Sequence, residues 1–91
     1  MEMRKLEKIV VGEQRRMSIK TIYPNLLSAM NEDGMGVSDL AKVLKISEPA
    51  TRRRLLGKAN GGSDFSVYEC HVLCEFFKAS FDWLFATGDN A

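Results

Sequence analysis

The chain has 91 residues, 45% of them apolar and 27% charged, with a net charge of +1 and two cysteines. That length supports one domain with a single modest core, and the apolar share excludes a disordered chain. No apolar run approaches the roughly 18 residues that span a bilayer, and no signal-peptide pattern is visible, so a cytoplasmic protein without a membrane partner is expected.

Residues 1–16 are the least legible stretch. Met3, Leu6 and Val10 fit a helical face, whereas Ile9-Val10-Val11-Gly12 fits a strand running into a turn. Met17 to Ile22 alternates as a return strand would, so an N-terminal arm or β-hairpin is expected over residues 1–21. Its apolar Leu6, Ile9, Val10 and Val11 make it a candidate for self-association.

A first helix is predicted from Pro24 to Asp33. Proline suits a first helical position, Leu26, Leu27 and Met30 form one face, and Gly34 ends it. Met35 is placed to pack as a staple ahead of the next helix. Gly36 to Gly57 then reads as two short helices around a tight turn, over Val37–Leu44 and Glu48–Leu56. Leu40, Ala41 and Leu44 give the first of these an apolar face. Ile46 plugs the turn, Ser47 caps the next helix, and Gly57 stops it. At about 100° per residue, Thr51 and Leu55 face inward. Pro49, Arg52, Arg53 and Leu56 face outward, with Arg54 and Lys58 on the flank.

Lys58 to Asp64 is a loop carrying Asn60, Gly61 and Gly62. It lacks the preceding strand and the Lys-Ser/Thr ending of a phosphate-binding loop. Ser66 and Glu69 make a capping box for a fourth helix, whose expected core face is Val67, Cys70, Leu73, Cys74 and Phe77. Ser80 caps a last short helix, Phe81 to Phe85. The aromatic residues Phe76, Phe77, Phe81, Trp83 and Phe85 are expected to divide between core packing and a dimer face.

The modest net charge hides a strong asymmetry. Residues 1–23 carry six basic and three acidic groups (+3), and residues 24–41 carry three acidic groups (−3). Residues 42–58 carry six basic groups against Glu48 (+5), and residues 59–91 carry Lys78 against five acidic groups (−4). Three consecutive arginines on a short capped helix repel one another, which points to a polyanionic partner.

Leu40-Ala41, Leu44, Ile46, Ser47 and the closing Gly57 resemble the lambda-repressor-like helix-turn-helix family of phage Cro and repressor proteins and xenobiotic-response-element-type regulators. Ser80, Asp82, Trp83, Leu84 and Phe85 resemble the segment that closes many members, and the likeness covers roughly Ile22 to Phe85. Three positions depart from it: Val37 stands where glutamine is usual, Thr51 where a β-branched aliphatic is usual, and Lys45 where a turn glycine is frequent. The resemblance implies an all-α, compact five-helix domain over residues 22–87, preceded by the arm and followed by a tail at 88–91. It implies a sequence-specific transcriptional regulator that binds double-stranded DNA as a homodimer, with the third helix in the major groove. By position Glu48, Pro49, Arg52 and Arg53 are then the base-reading candidates. Lys42, Lys45, Ser47, Arg54, Lys58 and Asn60 are the backbone-contacting ones. The alternative is a helix-turn-helix protein-interaction module, adaptor or antitoxin-like, which exposed Leu56 and apolar Val37 favour.

Other chemistries find little support. Cys70, His71 and Cys74 cluster, but a structural zinc site needs four ligands and the chain has no further Cys or His. The thiols read as small apolar groups, and a disulfide between residues four apart in one helix is geometrically poor. Glu32 and Asp33 read as solvated surface rather than an acid/base pair. No enzyme, metal, cofactor or small-molecule effector is expected.

Overall fold

The computed structural model of the chain describes residues 19–88. Among them are five α-helices and no strand: α1 Pro24–Glu32, α2 Val37–Leu44, α3 Glu48–Leu56, α4 Val67–Phe77 and α5 Phe81–Leu84. A 3-10 turn, Lys58–Asn60, follows α3. The described part is therefore all-α. No helix in it is long and apolar enough to cross a membrane. Most of the expected arm lies outside the described residues. Its last part, Ile19–Ile22, is not a strand but an extended strap laid across the end of α3.

Each helix contributes one leucine of 0% exposure to the core: Leu26, Leu40, Leu55, Leu73 and Leu84. Full burial of such a side chain stabilises by about 1.5–3 kcal/mol, which is how the four-residue α5 stays attached. Met30, Met35, Val37, Leu44 and Phe65 complete the cluster. Val37 thus serves the core. Tyr23, Phe65 and Phe85 seal one end, with ring centroids 5.4–5.7 Å apart.

The cap signals in the sequence act as expected. Ser47 Oγ accepts from the Ala50 N–H, Ser66 Oγ from the Glu69 N–H, and Ser80 Oγ from the Trp83 N–H. Asp39 accepts from the Gly36 N–H to open α2. The helix ends are less ordinary. α2 and α4 both finish on a lysine in the left-handed region, Lys45 at φ 62° and Lys78 at φ 55°. In each case the next N–H reaches back five residues, Ile46 to the Ala41 carbonyl and Ala79 to the Cys74 carbonyl. Glycine is the usual residue there because a Cβ disfavours that conformation by roughly 1–2 kcal/mol.

One position on the expected core face turns outward. Val67 is 81% exposed, because it is the first residue after the Ser66 cap and projects past the edge of the core. Phe77 and Phe85 pack against the core, while Phe76, Phe81 and Trp83 are exposed.

The loop after α3 folds back onto that helix. The Gly57 and Ser63 N–H groups both donate to the Arg53 carbonyl, and the Gly62 N–H donates to the Gly57 carbonyl. A Cβ at Gly62 would overlap the Arg53 carbonyl oxygen. Backbone cannot swing aside as a side chain does, so Gly62→Ala is expected to cost about 1–3 kcal/mol, the usual penalty of overpacking. Urea unfolding measures it, and an unchanged midpoint would show that the loop does not press on α3.

Candidate nucleic-acid interface

The third helix has little of its own to bury. Only Thr51 and Leu55 are buried on it. Thr51 is fully covered, and its hydroxyl donates to the Ser47 carbonyl at 2.9 Å, so no polar atom is stranded. The rest of the helix is fixed at its ends. The last carbonyls of a helix have no partner within it. Here the Leu55 carbonyl accepts from both the Ile22 N–H (3.1 Å) and the Thr21 hydroxyl (2.9 Å). The Leu56 carbonyl accepts from the Asn60 side-chain amide at 3.0 Å, and the Arg53 carbonyl is satisfied by the loop.

What this leaves outward is cationic. Glu48, Pro49, Arg52 and Arg53 are all exposed, as are Lys42, Lys45, Ser47, Lys58 and Asn60. Arg52 and Glu48 approach to 3.7 Å one turn apart, with 61% and 48% of their side chains exposed. A pair that open is worth little and does not tie up the guanidinium. Arg53 has no ion-pair partner among the described residues. The predicted base-reading set therefore shares one exposed face of α3, with Lys42 on the last turn of α2, Lys45 at the turn and Lys58 just after the end of α3.

Arg54 is held by the fold. The sequence places it on the flank of α3 as a backbone-contacting candidate. In the structure its Nε donates to Glu69 Oε1 at 2.7 Å, its Nη1 donates to the Ala50 carbonyl at 3.2 Å, and its side chain is 22% exposed. The reason is the buried carboxylate across from it. Glu69 also accepts from the Ser66 N–H at 2.9 Å through the same oxygen. Burial alone would push the Glu69 carboxyl up. The Ser66 N–H and the Arg54 guanidinium outweigh that and hold it below the ordinary carboxylate value. Asn60 is likewise engaged with α3 through its amide. Leu56, read as exposed, is half-buried because the strap covers it. Ile19, Lys20, Val37, Arg52, Leu55 and Leu56 line a hollow of about 280 Å³ there.

Lys20 belongs to the expected arm, whose basic residues were open to phosphate contact, and it lines this hollow with Arg52. Its place beside Arg52 depends on the backbone bond from Ile22 to Leu55, for which no local pattern exists. The cysteines are half-buried, and burial pushes both thiols up, that of Cys70 further through Cys74 and Glu69. No group of three or more His, Cys, Asp or Glu among the described residues is arranged to hold an ion. No family model, curated protein or solved structure matches the chain.

The arginines consequently separate by stability. Arg54→Ala leaves a buried carboxylate without its cation and is expected to cost about 1–3 kcal/mol. Exposed Arg53→Ala should stay within about 0.5 kcal/mol. Because the folded Glu69 binds its proton less readily than the unfolded one, its contribution is complete above the ordinary carboxylate range. It is lost as pH falls through the depressed folded value. Glu69→Gln should flatten that acid limb. Urea melts at pH 7 and across the acid range check both, and equal stability of the two arginine variants would refute the assignment.

Proposed function

We propose that the chain is a sequence-specific DNA-binding transcriptional regulator of phage Cro/repressor type. In this reading α2, the turn and α3 are a lambda-repressor-like helix-turn-helix, and α3 enters the major groove. The observation that carries it is the state of Arg52 and Arg53: exposed cations on a helix whose two ends are fastened by other parts of the chain. A reading element needs both properties, free donors and a rigid mount. Arginine bonds guanine through two acceptors at once, and Glu48 accepts from a cytosine amino group. Glu48 and Arg52 stand one turn apart on that exposed face. Lys42, Lys45, Lys58 and Ser47 are the phosphate contacts, with Lys20 added from the strap.

Lys45 supports the reading in a second way. A left-handed lysine is strained where glycine would be at ease, and such strain concentrates at functional positions. Its charge sits at the entrance to α3, where a phosphate would meet it. Lys45→Gly is therefore expected to raise folding stability by about 1 kcal/mol and to weaken DNA binding on all sequences alike.

The test begins with generic duplex at low salt. Binding that falls steeply as salt rises supports the proposal, because each neutralised phosphate releases counterions. On a site selected from a random duplex library, Arg53→Ala should cost about 1–3 kcal/mol and relax preference at one base pair. Lys45→Gly should flatten the salt slope by about one unit. A protein-interaction module is the second reading, favoured by the exposed apolar side chains of α4, and absence of duplex binding even at low salt selects it.

A further inference from the structure

Cys70 and Cys74 stand one turn apart on α4. Each packs against the core, yet each is only half-buried. Both line a groove of about 900 Å³ between α4 and α5, together with His71, Glu75, Lys78 and Phe81. The groove gives both thiols an entrance from solvent. Neither thiol enters the function proposed above.

Their spacing excludes one partnership and leaves another. Helix positions four apart hold their Cβ atoms about 5–6 Å from each other, whereas a disulfide needs about 3.5–4.5 Å. On an intact helix the two sulfurs therefore do not join directly. A single atom set between them spans the gap that a sulfur–sulfur bond does not. Among the described residues no group of three or more His, Cys, Asp or Glu is arranged to hold an ion. Zinc, which takes four ligands at a structural site, is not satisfied there. Thiolates select soft cations such as Cu(I), and an ion of that kind accepts two sulfurs in a line.

We propose that Cys70 and Cys74 form a two-sulfur site for a soft monovalent cation, Cu(I), on the wall of this groove. Binding replaces two S–H bonds by two Cu–S bonds. Two protons leave to solvent, copper stays Cu(I), and no sulfur is oxidised. The bridged S–Cu–S unit carries one negative charge. Lys78, one turn beyond Cys74, brings a cation to the same groove. Glu75 stands there too and Glu69 acts on Cys70, but the Glu69 charge is already met by Arg54. Burial favours the protonated form of both thiols. Oxidants and disulfides react with the thiolate, so the protonated pair resists them, whereas a soft cation binds by displacing the protons.

The full chain, held under nitrogen with ascorbate, should take up one Cu(I) per chain in competition with bicinchoninate. Thiolate-to-copper absorption should appear in the ultraviolet, and two protons should be released per ion in weakly buffered solution. Cys70→Ala and Cys74→Ser should each lower the affinity by about a hundredfold or more, with an unchanged helical circular dichroism spectrum. Cys74→Ser is nearly isosteric, so it decides the question where Cys70→Ala disturbs the core. His71→Ala should leave the affinity unchanged, and Zn(II) in excess should not displace the copper. No uptake against bicinchoninate overturns the proposal. So does uptake that Cys74→Ser retains, since other groups would then hold the ion. Loss of binding on His71→Ala, or displacement by Zn(II), overturns the two-sulfur assignment. No DNA is present in these measurements, so the site stands or falls apart from the function proposed above.

Discussion

The fold depends on how α3 is held. A helix with three consecutive arginines and two buried residues cannot be secured by burying a face. It is secured at its ends and at one ion pair: Ser47 at the start, the strap and the loop at the finish, and Arg54–Glu69 along the flank. The neighbouring elements are arranged to supply those partners. The strap before α1 brings two donors to one carbonyl, and the glycine-containing loop brings two more to another. Helix α4 starts where its own cap residue can share an acceptor with α3.

Glu69 shows how tightly the parts are joined. One carboxylate oxygen closes the first turn of α4 through the Ser66 N–H and receives the Arg54 guanidinium from α3. A buried charge is costly unless paired and hydrogen-bonded, and here the two requirements are met by two different helices. The consequence is a division of labour within the arginine triplet. Arg54 belongs to the scaffold, while Arg52 and Arg53 are left to the solvent side.

Helix existence and bounds were legible because four of the five helices begin at a local chemical signal and α2 follows from its apolar face. Pro24, Ser47, Ser66 with Glu69, and Ser80 each announce a start within three residues, and α2 and α3 run over the predicted spans. The finer placements were not legible for the opposite reason. Arg54 meets a partner fifteen positions away, and Leu56 is covered by a segment more than thirty positions earlier. No periodicity carries such information. Val67 fitted the helical stripe by spacing, but spacing cannot say where along its axis a helix runs off the core. Lys45 was recognisable as a departure from a frequent glycine, and its left-handed geometry shows that the lysine keeps the conformation a glycine would have had.

The strap makes the two halves of the chain mechanically continuous. Thr21 and Ile22 are the first side-chain and main-chain hydrogen-bond donors of the described chain, and both are fastened to the carbonyl of Leu55. Tension applied to the preceding residues would meet Ile19, packed against the core, and then these two bonds before it reaches α1. The anchorage for anything tugging on the N-terminal segment is therefore the tail of the arginine helix, and slack introduced there would be felt first as a fraying of α3.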